Sequence, residues 1–230
     1  MANRSAFARQ ALAVALKDLR SELRTKETVN ASVSFAVVVL LMFSFAFDPS
    51  GEQVREMSGG ILWLAFAFAS VLILNRGFAK ELLNDCLDTL LSSPASGAQL
   101  YLGKCLGNYV LLLFVEIICV PVFLVFYNLP WTPHWPMLIL VCLLGTWGLT
   151  AVGTMFSAMT VNLRLRELML PIMLYPMMIP VLMASMQLTT VLLAGNPIAG
   201  DNEFGLRLLV VSDVIFTLLA LALVEIVLVV

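Results

Sequence analysis

Six long apolar runs that contain no lysine or arginine constrain the fold of this chain more than any other feature. They comprise residues 31–47, 59–74, 105–129, 136–161, 168–194 and 208–230. An α-helix needs about 17–25 such residues to cross a bilayer, and the runs lack the alternation of a lipid-facing β-barrel. With 61% hydrophobic and 12% charged residues, the chain has too few charged side chains to cover a water-facing surface. The sequence therefore predicts an all-α, polytopic membrane protein, in which residues 1–230 form a single transmembrane domain of six helices.

The basic residues lie mostly on one side of the predicted helices. Of the 13 lysines and arginines, only Arg55 and Arg207 lie in connections on the opposite side. Because basic residues near membrane helices favour the cytoplasmic side, both termini are expected in the cytoplasm. The net charge of −2 and the lack of a dense Lys/Arg block argue against nucleic-acid binding.

Residues 1–30 have the pattern of an amphipathic helix. Four leucines fall on one helical stripe, with basic residues on its flank; they are Leu12, Leu16, Leu19 and Leu23. A cleaved signal peptide is rejected, because the segment is long and contains acidic residues. We predict a helix that lies in the inner headgroup region, and a helix docked on a partner is the alternative.

The chain lacks the residue clusters that catalysis or metal binding would need. It has one histidine, and its four cysteines form no CxxC pair, so we predict a non-catalytic protein without a metal site or a resident cofactor. His134 lies between Trp131 and Trp135. Two interpretations are open for it: a haem ligand, or a polar residue within an interfacial aromatic belt.

Glu116 and the proline-containing fifth run are the features of interest inside the membrane. A carboxylate near the middle of a transmembrane helix must face protein or water, so Glu116 has either a pathway role or a structural hydrogen bond. Asp213 lies nearer to the end of its run and is expected to be less informative. Pro171, Pro176 and Pro180 predict a break in the fifth helix and a bend there. The methionines of this run favour packing over a ligand surface.

A stripe of small residues on the fourth run predicts close helix packing, either within the chain or in a dimer; it comprises Thr146, Thr150, Gly153, Thr154 and Ser157.

The connection formed by residues 75–104 contains an amphipathic segment, which predicts a helix over 78–91. One face is apolar and includes Phe78, Leu82, Cys86 and Leu90. Three acidic side chains share a narrow stripe on the other face, namely Glu81, Asp85 and Asp88. Such a stripe would be repelled by anionic lipids and attracted by a basic protein surface, so a cytoplasmic partner is predicted. A solvated acidic face is the alternative.

Two segments resemble the CcmB family, the haem exporter protein B permeases of cytochrome c maturation. The first resembles the second span and the following loop of that family; it reads GGILWLAFAFASVLILNRGFAKELLNDCLDTLLSSPASGAQLYLGK. The second, with its glycine-rich start, short basic loop and prolines Pro176 and Pro180, resembles the fourth and fifth spans; it reads LLGTWGLTAVGTMFSAMTVNLRLRELMLPIMLYPMMIPVLMA. Asn75 and Asp85 depart from the glutamate and the glycine usual in the family.

The resemblance implies the permease subunit of an ABC-2 type transporter. Its ATPase would be a separate cytoplasmic subunit, CcmA, which holds ATP and Mg²⁺, and its other partners would be CcmC, CcmD, the haem chaperone CcmE and a second copy of the chain. Residues 78–91 would be the coupling helix, and the N-terminal segment would be the elbow helix. Haem is the implied substrate, through export or through release of the haem-loaded chaperone. A proton-coupled carrier or channel that uses Glu116, and a non-transporting scaffold, are the alternatives.

Overall fold

The computed structural model describes residues 2–48, 51–83, 96–129, 132–161, 163, 165–200 and 202–229. Within these ranges the chain forms seven α-helices and no β-strand. They are α1 (Ala2–Thr25), α2 (Glu27–Ala46), α3 (Glu52–Leu83), α4 (Gly97–Phe126), α5 (Trp135–Thr160), α6 (Arg166–Leu193) and α7 (Asn202–Val229). Six of these, α2 to α7, are long and apolar enough to cross a membrane. The predicted all-α fold with six transmembrane helices is therefore confirmed.

Helices α3 and α4 extend well beyond the apolar runs that predicted them. The second run covers residues 59–74, whereas α3 covers Glu52–Leu83. The third run starts at Cys105, whereas α4 starts at Gly97. A capping box stabilises this early start: the Gln99 amide donates to the Ser96 hydroxyl (3.4 Å), and the Ser96 amide donates to the Gln99 side chain (2.7 Å). Apolar runs locate the membrane-crossing part of a helix but not its polar ends, so the exact span boundaries stay a prediction.

The N-terminal segment is divided into two helices by a sharp joint. Helix α1 ends at Thr25, Lys26 adopts a left-handed conformation (φ 56°), and α2 starts at Glu27. The buried Glu22 carboxylate stabilises the joint, because it accepts hydrogen bonds from the Thr28 amide (2.6 Å), the Thr28 hydroxyl (2.8 Å) and the Val29 amide (3.1 Å). The sequence predicted one helix over residues 1–30, whereas the N-terminal helix ends at Thr25 and residues 27–30 belong to α2.

Helix α1 has two apolar faces, a buried one of small residues and an exposed one of leucines. The small residues Ala11 and Ala15 are buried, whereas Leu12 and Leu23 are 53% and 67% exposed. At about 100° per residue, the leucine stripe lies roughly a quarter-turn away from the buried face. The helix therefore packs on the bundle by one face while it presents leucines to the surroundings, as expected for a helix at a membrane surface.

The predicted small-residue stripe on α5 packs within the chain. All five of its residues, Thr146, Thr150, Gly153, Thr154 and Ser157, are buried. Gly153 leaves room for Leu74 of α3, and Gly145 leaves room for Trp63 of α3 and Ser185 of α6. The Trp63 indole is fully buried and donates to the Thr189 hydroxyl of α6 (2.9 Å). The stripe therefore packs α5 against α3 and α4 within the chain, since Gly153 and Ser157 contact Leu74 of α3 while Thr146 and Thr154 bond to side chains of α4.

Helix α6 is continuous through its three prolines, so the predicted break is wrong. Residues Arg166–Leu193 form one helix that contains Pro171, Pro176 and Pro180. Pro176 is exposed, whereas Leu174 and Met178 are buried in the core. Packing of α6 against α3, α5 and α7 holds the helix together where the prolines remove backbone donors.

Candidate functional site

Helices α1, α3 and α4 meet around one buried lysine, at the end of the bundle that holds the N-terminal helix. The Lys104 side chain of α4 is 1% exposed. Its ammonium donates to the Gly77 carbonyl of α3 (2.7 Å) and forms an ion pair with Asp18 of α1 (3.0 Å). It also lies 5.2 Å from the centre of the Phe78 ring. We call these four residues, Asp18, Gly77, Phe78 and Lys104, the Lys104 junction.

The contacts of the Lys104 junction explain how a charged side chain is tolerated there. A buried ammonium is stable only when a counter-charge and hydrogen bonds replace its lost hydration. Asp18 supplies the charge, the Gly77 carbonyl accepts a hydrogen bond, and the Phe78 ring adds a cation–π contact. One side chain of α4 therefore fixes the positions of both α1 and α3.

Close packing of α1 on α4 reinforces the junction. A Cβ atom at Gly103 would lie 2.6 Å from the Ala11 carbonyl oxygen and 2.6 Å from the Val14 Cβ atom. One turn further along α4, a Cβ at Gly107 would lie 3.8 Å from the Ala15 Cα atom. The two backbones approach each other over these glycines, which holds α1 firmly against the bundle.

Two interhelical hydrogen bonds extend the junction towards α5. Ser157 donates to the Leu74 carbonyl of α3 (2.7 Å), and Asn108 of α4 donates to the Thr154 hydroxyl (3.0 Å). These donors and acceptors lie in the bundle interior, where unmade hydrogen bonds would be costly. Helices α3, α4 and α5 are thus tied together next to Lys104.

Only some of the residues predicted to contact an ATPase lie in the part of the chain that the structure describes. Phe78 is 1% exposed and packs against Ala158 and Val161, so its side chain supports the bundle and does not face a partner. Glu81 and Leu82 belong to the last turn of α3, but their side chains lie outside the described set. The remaining predicted contacts also lie outside the described residues; they are Asp85, Cys86, Asp88 and Leu90. The acidic stripe therefore stays a prediction.

Helix α3 changes the expected start of the coupling segment. The sequence predicted a span that ends at residue 74 and a separate helix that starts at Phe78. In the structure α3 continues without interruption from Glu52 to Leu83. The first residues of the predicted coupling helix are therefore a direct extension of a transmembrane helix.

Glu116 joins two helices in the bundle interior. Its side chain is 3% exposed, and one carboxylate oxygen accepts a hydrogen bond from the Thr146 hydroxyl of α5. This contact matches the structural alternative that the sequence left open for Glu116. Of the prolines proposed beside it, Pro176 lies on the exposed side of α6 and Pro180 is half-buried.

His134 lies in the turn before α5, at the opposite end of the bundle from Lys104. Its amide donates to the Thr132 hydroxyl (3.2 Å), and Thr132 donates to the Leu192 carbonyl of α6 (2.7 Å). Trp135 starts α5 and is 45% exposed, whereas Trp131 lies outside the described residues. Among the described residues, no group of three His, Cys, Asp or Glu side chains is placed to hold a metal ion. Haem ligation by His134 stays a hypothesis that these contacts do not support.

Comparison with known proteins identifies the family. Residues 9–227 match the family described as CcmB protein. The chain belongs to the CcmB family. It is 30% identical over 172 residues to heme exporter protein B of Rhodobacter capsulatus, a match that covers 75% of this chain and 78% of the relative. It is also 30% identical to heme exporter protein B of Pseudomonas aeruginosa, over 77% of this chain and 78% of the relative. The resemblance found in the sequence is therefore confirmed.

Sequence reasoning about this CcmB-family chain missed the Lys104 junction. Lys104 follows Gly103 at the start of an apolar run, which is the ordinary position of a basic residue at a membrane boundary. One signal was available, because Ala11 and Ala15 on one helix and Gly103 and Gly107 on another share the four-residue spacing of closely packed helices. That spacing indicates close packing but does not show which helices pair.

Proposed function

We propose that this chain is the membrane-spanning permease subunit of an ATP-driven transporter that acts in cytochrome c maturation. A separate ATPase subunit, CcmA, would bind ATP and Mg²⁺, and the chain itself would catalyse no reaction. The cargo step would be export of haem or release of a haem-loaded chaperone, CcmE, in an assembly with CcmC, CcmD and a second copy of the chain. The names of the relatives, heme exporter protein B, support the haem-export part of this proposal.

The observation that carries the proposal is the continuity of α3 past the Lys104 junction. A displacement applied to residues beyond Leu83 would act on a helix that extends to Glu52 without a break. Because Lys104 bonds to Gly77 of this helix and to Asp18 of α1, the displacement would also move α4 and the N-terminal helix. The hydrogen bond from Ser157 to Leu74 would pass it to α5. The acidic stripe would bind a basic groove of the ATPase.

In this proposal both termini and the Lys104 junction face the cytoplasm of a bacterial inner membrane. The basic residues near this end of the helices support that orientation. The hydrogen bond between Thr146 and Glu116 supports a packing role for the carboxylate. A carrier that titrates Glu116 therefore has less support than an ATP-driven permease.

Charge reversal of the acidic stripe tests the proposal directly. We expect the triple variant Glu81→Lys, Asp85→Lys and Asp88→Lys to lose co-purification of the ATPase in mild detergent, because like charges would then face each other across the interface. A matched control reverses three acids at the other end of the bundle, Glu52, Glu56 and Glu203. The control should retain the ATPase at the level of the unmodified chain. Undiminished binding in the stripe variant, with normal amounts of protein in the membrane, would refute the coupling assignment.

A further inference from the structure

The face of α1 that points away from the bundle carries three arginines that the proposed function does not use. Arg9, Arg20 and Arg24 are exposed, and none of them forms an ion pair with the part of the chain that the structure describes. At about 100° per residue they fall within one sector of roughly 60° on the helix. This sector lies opposite the buried face of Ala11 and Ala15. We call it the arginine face of α1.

Both acidic residues of α1 point towards the bundle, so charge is sorted across the helix. Asp18 pairs with Lys104 of α4 (3.0 Å). Glu22 is 3% exposed, and its carboxylate accepts hydrogen bonds from the first turn of α2. A fourth cation, Lys17, is itself paired with Asp18 (3.3 Å). Within residues 7–25 the arginine face therefore carries positive charge with no acid beside it to neutralise that charge.

The position of α1 places the arginine face at the level of the lipid headgroups. Only Lys26 separates the end of α1 from α2, a helix that is long and apolar enough to cross the membrane. Along its length α1 packs on Gly103 and Gly107 of α4, where the apolar run of that helix begins at Cys105. Two neighbouring helices thus enter the membrane directly beside α1.

Four sectors follow one another around α1, and their order matches a helix that lies flat beside the bundle. The alanines face the bundle. About a quarter-turn further round are the exposed leucines, and about another quarter-turn further is the arginine face. The exposed Ser21 lies in the fourth sector. In this orientation the leucines enter the acyl-chain region, the arginines lie among the headgroups and Ser21 faces water; the leucines are Leu12, Leu16 and Leu23.

We propose that α1 selectively binds anionic phospholipids, whose phosphates pair with Arg9, Arg20 and Arg24. A phospholipid supplies both chemistries that this surface needs, because its acyl chains cover the leucines and its phosphate accepts paired hydrogen bonds from a guanidinium group. The net negative charge of an anionic headgroup is complementary to the arginine face. An acidic protein would neutralise the arginines but would leave the leucines uncovered. The inference rests on α1 alone and does not depend on the ATPase coupling proposed above.

Lipid-selective fluorescence quenching tests the proposal on the full chain. A small fluorophore is attached at Leu16→Cys in a chain that carries Cys86→Ser and whose other three cysteines are buried. The protein is reconstituted in phosphatidylcholine vesicles that contain a varied fraction of brominated lipid. We expect brominated phosphatidylglycerol to reach half-maximal quenching at a fraction at least about fivefold lower than brominated phosphatidylcholine. About 0.5 M salt should reduce this preference, because it screens the headgroup charges.

A second label position shows whether the preference belongs to α1. Met42 is 66% exposed and lies near the other end of α2, away from the arginine face. A fluorophore at Met42→Cys should be quenched equally by the two brominated lipids. A preference of the same size at Met42 would mean that anionic lipid surrounds the whole protein, and would overturn the assignment to α1.

Neutralising the arginines distinguishes charge recognition from burial of the leucines. The double variant Arg20→Gln and Arg24→Gln should lower the preference at Leu16→Cys to about twofold or less. A matched control removes the same charge from two exposed arginines at the other end of the bundle, by Arg55→Gln and Arg207→Gln, and should keep the full preference. Both variants should elute as a single species in normal amounts, which shows that they fold.

Three results would overturn the proposal. They are equal quenching of the unmodified α1 by both lipids, a preference that survives in the double variant, and no quenching by either lipid. The last result would mean that α1 faces water or a protein. None of these measurements involves an ATPase, so a failure here is distinguishable from a failure of the proposed function.

Discussion

Lys104 and Asp18 form an ion pair whose two members differ in burial, and this difference predicts unequal effects of mutation. Lys104 is 1% exposed and Asp18 is 21% exposed. Asp18→Asn removes the carboxylate that pairs with the buried ammonium, which should lower the free energy of unfolding by about 3–5 kcal/mol. Lys104→Met leaves a carboxylate that water can reach, so its cost should be smaller, about 1–2 kcal/mol. Denaturant unfolding in detergent, followed by fluorescence, measures both.

The double variant and a surface pair provide the controls for this prediction. Asp18→Asn combined with Lys104→Met should cost less than the sum of the single changes, because the pair is removed as a unit. Arg207→Met breaks an exposed pair with Glu203 and should change the free energy of unfolding by about 0–1 kcal/mol. A larger loss for Lys104→Met than for Asp18→Asn would mean that packing of the lysine stem, and not the charge pair, holds the junction.

At the level of single residues, the sequence is most informative where a residue type is costly in its predicted environment. Glu116 stands out because it interrupts an apolar run, and its burial follows from that position. Lys104 does not stand out, since its partner Asp18 comes from a distant part of the chain and no local pattern links them. The burial of Asp213 could not be predicted for a similar reason, because it depends on the absence of a side chain at Gly148 of another helix.

At the level of elements, the glycines of α4 determine how closely the N-terminal helix can pack. Gly103→Ala would place a Cβ atom 2.6 Å from the Ala11 carbonyl oxygen, so α1 must move away. Overpacking of this kind costs about 1–3 kcal/mol, which corresponds to about a fivefold or greater increase in local opening. We therefore expect faster amide hydrogen exchange in the part of α1 that faces α4, measured by mass spectrometry in detergent.

Gly60 offers a matched control for the packing of α1. It lies in a transmembrane helix as Gly103 does, but a Cβ atom there would contact no other heavy atom within 4 Å. Gly60→Ala should leave hydrogen exchange in α1 unchanged and slightly stabilise α3, because alanine favours helix more than glycine does. Unchanged exchange in α1 of the Gly103→Ala variant would show that the helix is not held by this contact.

Helix identity could be predicted from the sequence far better than helix length or continuity. The apolar runs predicted the six helices of the described residues that are long and apolar enough to cross a membrane, since each run must be buried in lipid or protein. The extension of α3 to Leu83 was missed because hydropathy falls at Asn75, where the backbone nevertheless stays helical. The expected break in α6 reflects the local effect of proline, which the packing of α6 between its neighbours outweighs.

At the scale of the whole molecule, the number of membrane-crossing helices determines which ends of the helices lie on the same side of the membrane. Five of them, α2 to α6, separate α1 from the start of α7, so these two segments lie on opposite sides. Six membrane-crossing helices after α1 bring the C-terminal end of α7 back to the side of α1, and leave Asn202 on the far side. Ser21 of α1 and Glu203 of α7 are both exposed, and they report on the two sides. If the basic residues set the orientation, Ser21 faces the cytoplasm and Glu203 faces the periplasm.

Cysteine labelling checks this orientation with little interference from native thiols. Cys105, Cys119 and Cys142 are buried, and replacing Cys86 by serine removes the remaining one. In this background, a membrane-impermeant maleimide should label Glu203→Cys in spheroplasts, and Ser21→Cys only after the membrane is permeabilised. The reverse pattern would invert the protein and place the acidic stripe outside the cell, where no ATPase could bind it. Five helices, α2 to α6, lie between the two positions. Labelling of both positions from the same side would therefore mean that one of these five helices does not cross the membrane, which would contradict the six-helix topology.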